Sequence, residues 1–165
     1  MPVYCLTGAN RGLGLEFVRQ LSQLPSATII ATTRSNDNDL TDLKAINPSD
    51  TSTKIHIMEC DIASLDSINS FVKNASSLLE SQSLKITHLI ANAGVNSVSG
   101  QNSLTIGPAD LHREIDINLI GPAKLVENLV SQSLLANDVR VLNMTSGLGS
   151  MTKSLTIEPR KCMTY

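Results

Sequence analysis

The segment Thr7-Gly8-Ala9-Asn10-Arg11-Gly12-Leu13-Gly14 follows directly on the apolar run Val3-Tyr4-Cys5-Leu6, and it constrains the fold more than any other stretch. A strand that breaks into a glycine turn and re-enters a helix gathers backbone N–H groups and a helix N-terminus at one point. Backbone approaches an anion closely only where no Cβ intervenes, which suits Gly8 and Gly12 to the turn. Gly14 lets the helix pack tightly on the strand, with its partial positive charge aimed at a phosphate. The spacing, Thr-Gly-x-x-x-Gly-x-Gly, departs from the commoner G-x-G-x-x-G. Taken alone, such a turn can also be a plain strand-to-helix connection that binds nothing.

The rest of the chain supplies the context. Apolar runs at Val3–Thr7, Ala27–Thr32, Ile55–Cys60, Ile86–Asn92 and Val139–Thr145 read as strands. They are short and mostly unalternating, as parallel strands covered on both faces should be. Helical patterns lie between them. The first is marked by Leu13, Phe17, Val18, Leu21 and Leu24. Another is marked by Leu65, Ile68, Phe71, Val72, Ala75, Leu78 and Leu79, with Ser64 as its N-cap. A long helical pattern runs from Ala109 to Leu135, and Gly121-Pro122 should kink or interrupt it. The polar stretch Ser35–Asp50 holds at most a weak helix from Leu40 to Ile46.

Strands alternating with helices imply an α/β fold: a doubly wound parallel sheet of Rossmann type with right-handed crossovers. With strand order 3-2-1-4-5, the ligand crevice lies at the carboxyl ends of strands 1 and 4, the topological switch point. Polar residues gather at the predicted strand ends: Thr7-Gly8, Thr33-Arg34, Asp61, Asn92 and Thr145-Ser146.

Composition narrows the function classes. The 165 residues suit a single domain, read here as one dinucleotide-binding domain over 1–165. A formal charge of -2 and no run of Lys or Arg argue against nucleic acid as a partner. No apolar stretch approaches the roughly 20 residues of a membrane helix, and no secretory leader is expected before a strand that starts at Val3. Cys5, Cys60 and Cys162 are odd in number and lack metal-ligand spacing, so no metal is expected. They read as small hydrophobes in a reducing compartment, with the cytoplasm as the expected location. His56 and His88, inside apolar strands, read as packed or hydrogen-bonded rather than catalytic. The stretch Ser97–Ser103 reads as a loop over the site mouth.

In this order and spacing the chain resembles the short-chain dehydrogenase/reductase family along essentially its whole length. Thr7 to Gly14 is similar to the family's cofactor fingerprint, which implies cofactor contacts from Gly8, Asn10, Arg11, Gly12, Leu13 and Gly14. Asp61-Ile62 matches the adenine-contacting acid after strand 3. Ala91-Asn92-Ala93-Gly94 is similar to the Asn-Asn-Ala-Gly signature of strand 4, with alanine in place of the first Asn. Asn118 falls where the family carries a structural and proton-relay Asn. Asn143-Met144-Thr145-Ser146 is similar to the strand-5 segment whose last Ser is catalytic.

The resemblance implies an NAD(P)-dependent oxidoreductase that moves a hydride between a nicotinamide and a small-molecule carbonyl or secondary alcohol. Strand 2 ends on Thr33-Arg34, where a carboxylate would serve the ribose hydroxyl of NAD. A guanidinium there pairs with a 2′-phosphate, and Arg11 adds a second cation, so NADP is expected over NAD. The alternative reading of Arg34 is a solvated loop charge, and Asp37 and Asp39 stand near enough to serve NAD if the loop folds back.

For the chemistry, the family uses a Ser to hold the oxygen and a Tyr as acid. A Lys shortly after the Tyr brings its pKa down from near 10. Ser146 fits the first role and Tyr165 the second, while Asn118 completes the expected catalytic set. No Lys follows Tyr165, and the sixth and seventh strands of the family are absent from the sequence. The expectation is a C-terminally truncated reductase that turns over poorly and, at full length, forms a homo-oligomer. The alternative is a catalytically silent NADP-binding module.

Overall fold

The five strands form one parallel sheet in the order β3-β2-β1-β4-β5. They are β1 (Val3–Leu6), β2 (Thr28–Thr33), β3 (Lys54–Glu59), β4 (Ile86–Ala91) and β5 (Leu135–Asn143). Between them run α1 (Gly12–Leu21), α2 (Thr41–Lys44), α3 (Leu65–Ser81), α4 (Pro108–Ile115) and α5 (Gly121–Ser131). This computed structural model describes residues 1–96 and 105–147, with Ser150 and Thr152. Tyr165, Cys162 and the loop expected over 97–103 lie outside the described residues.

Each face of the sheet buries its own core. On one face, Val3, Cys5, Ile30 and Leu89 pack under Ile68, Phe71, Val72, Ala75 and Leu79 of α3 and Leu125 and Leu129 of α5. On the other, Leu6, Ile29, Ala31 and Ile90 pack against Leu15 and Val18 of α1 and Leu43 of α2. Adjacent residues Ile29, Ile30 and Ala31 therefore serve alternate faces, which is why β2, buried at every position, shows no polar alternation. The outer strands differ. β3 is only partly covered, and β5 is half-buried or exposed along its whole length, with Val141 and Leu142 open to solvent.

The helix signals resolve in physical detail. Ser64 caps α3 as its sequence suggests, its Oγ accepting from Ser67 N at 3.2 Å. Leu13, counted above with the apolar stripe of α1, is 64% exposed; it sits in the first turn, past the reach of the sheet. The expected break at Gly121-Pro122 takes another form. The chain stays helical from Pro108 to Ser131, with a π-helical turn over Asp116–Ile120 and the Gly121 N–H bonded to Asp116 O. Pro122 has no N–H to return to Asn118 O, and the wider turn absorbs the loss. Gly121 is also where the helix meets the segment after β3: a Cβ there would collide with Ile62 O. The helix ends at Ser131 rather than Leu135, and β5 begins four residues before the expected Val139. Leu135 satisfies either periodicity, and pairing with Ile86 of β4 decides it.

The two strand histidines are packed, as expected. His88 stacks on Tyr4 with ring centroids 4.7 Å apart, and its Nδ1 lies 2.9 Å from Thr87 Oγ1. His56 has its Nε2 buried with no partner among the described residues. Burial, and then the charge of Lys54, hold its pKa below the ordinary 6.5. Below that value the unfolded chain binds more protons than the folded one, so stability falls as the pH drops. Urea unfolding at pH 7.5 and 5.5 should show a lower midpoint at the acid pH, and His56→Gln should reduce that difference; an equal drop in both proteins would dismiss His56 as its source.

Candidate functional site

The carboxyl ends of β1, β2, β3 and β4 open onto one cleft of about 470 Å³, within the roughly 300–1,000 Å³ usual for small-molecule sites. Its lining comprises the glycine turn and start of α1 (Gly8, Asn10, Arg11, Gly12, Leu13, Gly14), Arg34 after β2, Asp61 and Ile62 after β3, and Asn92, Ala93 and Gly94 after β4. The structure thus brings together all the residues that the sequence marked for cofactor contact. It adds Asn38, Cys60, Val95 and Ile117. Asn38 and Val95 lie in irregular loops, and Ile117 in a helix whose phase the π turn shifts, so periodicity gave no signal for them. Cys60 stands beside a marked residue but reads as core.

The turn is held by a hydrogen-bond lock between β1 and β4. Thr7 Oγ1, buried, accepts from Asn92 N at 3.0 Å and Ala93 N at 2.9 Å. In return Asn92 Nδ2 donates to Thr7 O at 2.9 Å and Gly8 O at 3.2 Å. Ala9 N donates to Thr32 O at 2.8 Å, tying the turn to β2 as well. The Asn92 amide nitrogen therefore satisfies the backbone of the turn.

The glycines fit this geometry. Gly8 and Gly12 adopt φ of +70° and +56°, which disfavours any side chain. Gly8 also lies against Ala93, where a Cβ would come within 3.0 Å of its Cα. A Cβ on Gly14 would collide with Gly8 O, so this glycine sets the distance between helix and turn. At Gly12 that Cβ direction is open space. The N-cap residue Arg11 is extended and makes no side-chain cap, and no side chain among the described residues claims the first N–H groups of α1. Such a helix start is suited to an anion.

Charge is distributed unevenly around the cleft. Arg11 and Arg34 are both exposed, and neither forms an ion pair among the described residues. Asp61 Oδ1 accepts from Ala63 N at 3.0 Å, and its own N–H donates to Ser67 Oγ at 2.8 Å, which fixes the acid at the start of α3. Asp37 and Asp39 stay outside the cleft. Asp39 Oδ1 accepts from Thr41 N at 3.0 Å, and this bond holds its pKa down. Glu59 likewise faces elsewhere, accepting from Asn36 N at 3.1 Å.

The residues expected to be catalytic are placed less closely. Asn118 binds the exit of β4 twice: its Oδ1 accepts from Val95 N at 2.9 Å and its Nδ2 donates to Val95 O at 2.8 Å. Ser146 follows β5 and is exposed, and it does not line the cleft. Cys60 is buried; burial and the charge of Asp61 push its thiol up to about 12. Among the described residues no cluster suits a metal ion, and no helix is long and apolar enough to cross a membrane.

A five-stranded parallel sheet in this order, with a glycine turn at its switch point, is a Rossmann-type architecture. The family model for short chain dehydrogenase matches residues 2–157, and the chain belongs to that family. The short chain dehydrogenase virK of Hypocrea virens is 27% identical over 166 residues, covering 96% of this chain and 59% of that protein. Among solved structures, Sniffer of Caenorhabditis elegans superposes with a TM-score of 0.72 at 29% identity, over 92% of this chain and 67% of that one. A metagenomic short-chain oxidoreductase in complex with NADP gives 0.65 at 26% identity, over 85% and 59%. The chain thus spans about three fifths of the length of virK.

Two measurements check this geometry. Thr7→Val leaves the half-buried N–H groups of Asn92 and Ala93 without their acceptor, at up to about 1–3 kcal/mol each; the urea midpoint should fall clearly, and Thr7→Ser should restore it. Cys60 should resist iodoacetamide at pH 8 in the folded chain and react in urea, because the thiolate is the nucleophile. Rapid labelling without urea would contradict the burial.

Proposed function

We propose that the cleft binds a nicotinamide dinucleotide, with NADP preferred, and that the chain belongs to an oxidoreductase acting on a small carbonyl compound or secondary alcohol. The observation that carries this reading is the meeting of the glycine turn, the uncapped start of α1 and the ends of β2, β3 and β4 in one cleft. The diphosphate would lie over Gly12, where the backbone is open, against the first N–H groups of α1. Asp61 and Ile62 would flank the adenine. Arg34 and Arg11 would face the ribose 2′-phosphate, and the turning away of Asp37 and Asp39 supports NADP over NAD. The metagenomic relative complexed with NADP supports the same cofactor class.

When bound, the nicotinamide supplies or accepts the hydride. The chain's own part is to orient the reacting oxygen and move a proton. Ser146 would donate its hydroxyl hydrogen to that oxygen, and Tyr165 would exchange the proton, a role that rests on its order in the sequence. Asn118 has its amide committed to Val95, so its role is proposed as positioning: it fixes the loop that borders the cleft. Leu119, Ile120 and Val130 are exposed on the α4–α5 segment, the surface proposed for a homo-oligomer contact. We place the protein in the cytoplasm, in keeping with two buried free thiols.

Fluorescence titration with NADPH and NADH tests the reading. NADPH should bind more tightly, and Arg34→Asp should weaken it by about 10-fold or more, the worth of a charge-assisted hydrogen bond, while NADH is held as before or better. A chain that binds neither dinucleotide overturns the proposal.

A further inference from the structure

The loop after β2 sorts its side chains by charge. Three carboxylates stand in or beside it, and each is engaged away from the cleft. Asp39 holds Thr41 N, Glu59 holds Asn36 N, and Asp37 faces Ser35 Oγ at 3.5 Å. The loop residues that do line the cleft are Arg34 and Asn38. Asn38 is fixed by its backbone, its N–H donating to Ser35 O at 3.3 Å in a turn that Thr33 Oγ1 supports from 3.2 Å. Its carboxamide forms no hydrogen bond with any described residue, and the residue is half-buried in the cleft lining. A polar group is thus held at the cleft wall, flanked in sequence by two acids that are held out of it.

We infer that Asn38 is a specificity-determining residue of this cleft, donating its Nδ2 hydrogens to the phosphoryl group of an adenosine 2′-phosphate beside Arg34. The inference rests on the dinucleotide reading above and adds to it a residue that carries no charge. A neutral amide donates to a phosphate dianion without pairing permanently with Asp37 or Asp39, as a further cation there would. The same position occupied by a carboxylate would have the same shape, no donor, and a repulsive charge. Asn38 therefore acts at the point where one oxygen for nitrogen exchange weakens the preference.

The test uses two probes that lack nicotinamide, adenosine 2′,5′-bisphosphate and adenosine 5′-monophosphate, titrated calorimetrically into the whole chain. The unaltered protein should prefer the bisphosphate. Asn38→Asp should weaken the bisphosphate about 10-fold and leave the monophosphate within about twofold, as expected when a donor to phosphate becomes a like charge. Asp39→Asn, which alters a carboxylate outside the cleft, should leave the ratio of the two unchanged. If the unaltered chain prefers the bisphosphate and Asn38→Asp preserves that ratio, the role of Asn38 is overturned and the NADP reading survives. If the unaltered chain does not distinguish the probes, both fall together.

Discussion

The exchange of hydrogen bonds between Thr7 and Asn92 is the contact on which the rest of the site depends. A glycine-rich turn has little conformational preference of its own, and ordering it is entropically costly. Here the cost is offset by four bonds across the strand ends: two backbone N–H groups onto the Thr7 hydroxyl, and the Asn92 amide onto two carbonyls of the turn. The lock closes over a buried core, so the turn inherits the rigidity of β1 and β4 at the centre of the sheet. The start of α1 is thereby aimed into the cleft, and every other wall is placed relative to it.

The distribution of charge follows from the same economy. Asp39 and Asp61 are each tied to a backbone N–H two residues on, Glu59 to the N–H of Asn36 across the strand ends, and Asp37 to the Ser35 hydroxyl. Local side chain to backbone bonds of this type compete with any ligand for the carboxylate. Arg11 and Arg34 form no ion pair among the described residues and remain available. A chain with formal charge -2 thus presents cations at one mouth of its cleft.

The architecture was largely legible in the sequence because its signals are local. The glycine turn, the Ser64 cap and the unbroken apolar strands each follow from a few neighbouring residues. Strand order and the strand-end cluster then follow from chain connectivity and handedness. What sequence could not supply depends on contacts remote along the chain. Leu135 joins β5 because Ile86 offers it a partner. Leu13 leaves the core because its turn overhangs the sheet. Asn38, Val95 and Ile117 enter the cleft through loop closure and helix phase, neither of which leaves a period in the sequence. The reach of Asp37 and Asp39 was open for the same reason, since only the folded loop assigns them their partners.

The π turn over Asp116–Ile120 carries a further consequence. It presents adjacent residues to different tasks, Ile117 to the cleft wall and Asn118 to the backbone at Val95. An ordinary helix rotates each successive residue by about 100°, so the two directions are set by where the widened turn falls. Gly121 pins that phase by its abutment on Ile62. This stretch therefore tolerates altered side chains far better than altered length: losing or gaining a single residue would swing both groups off target at once, while leaving the helix itself intact.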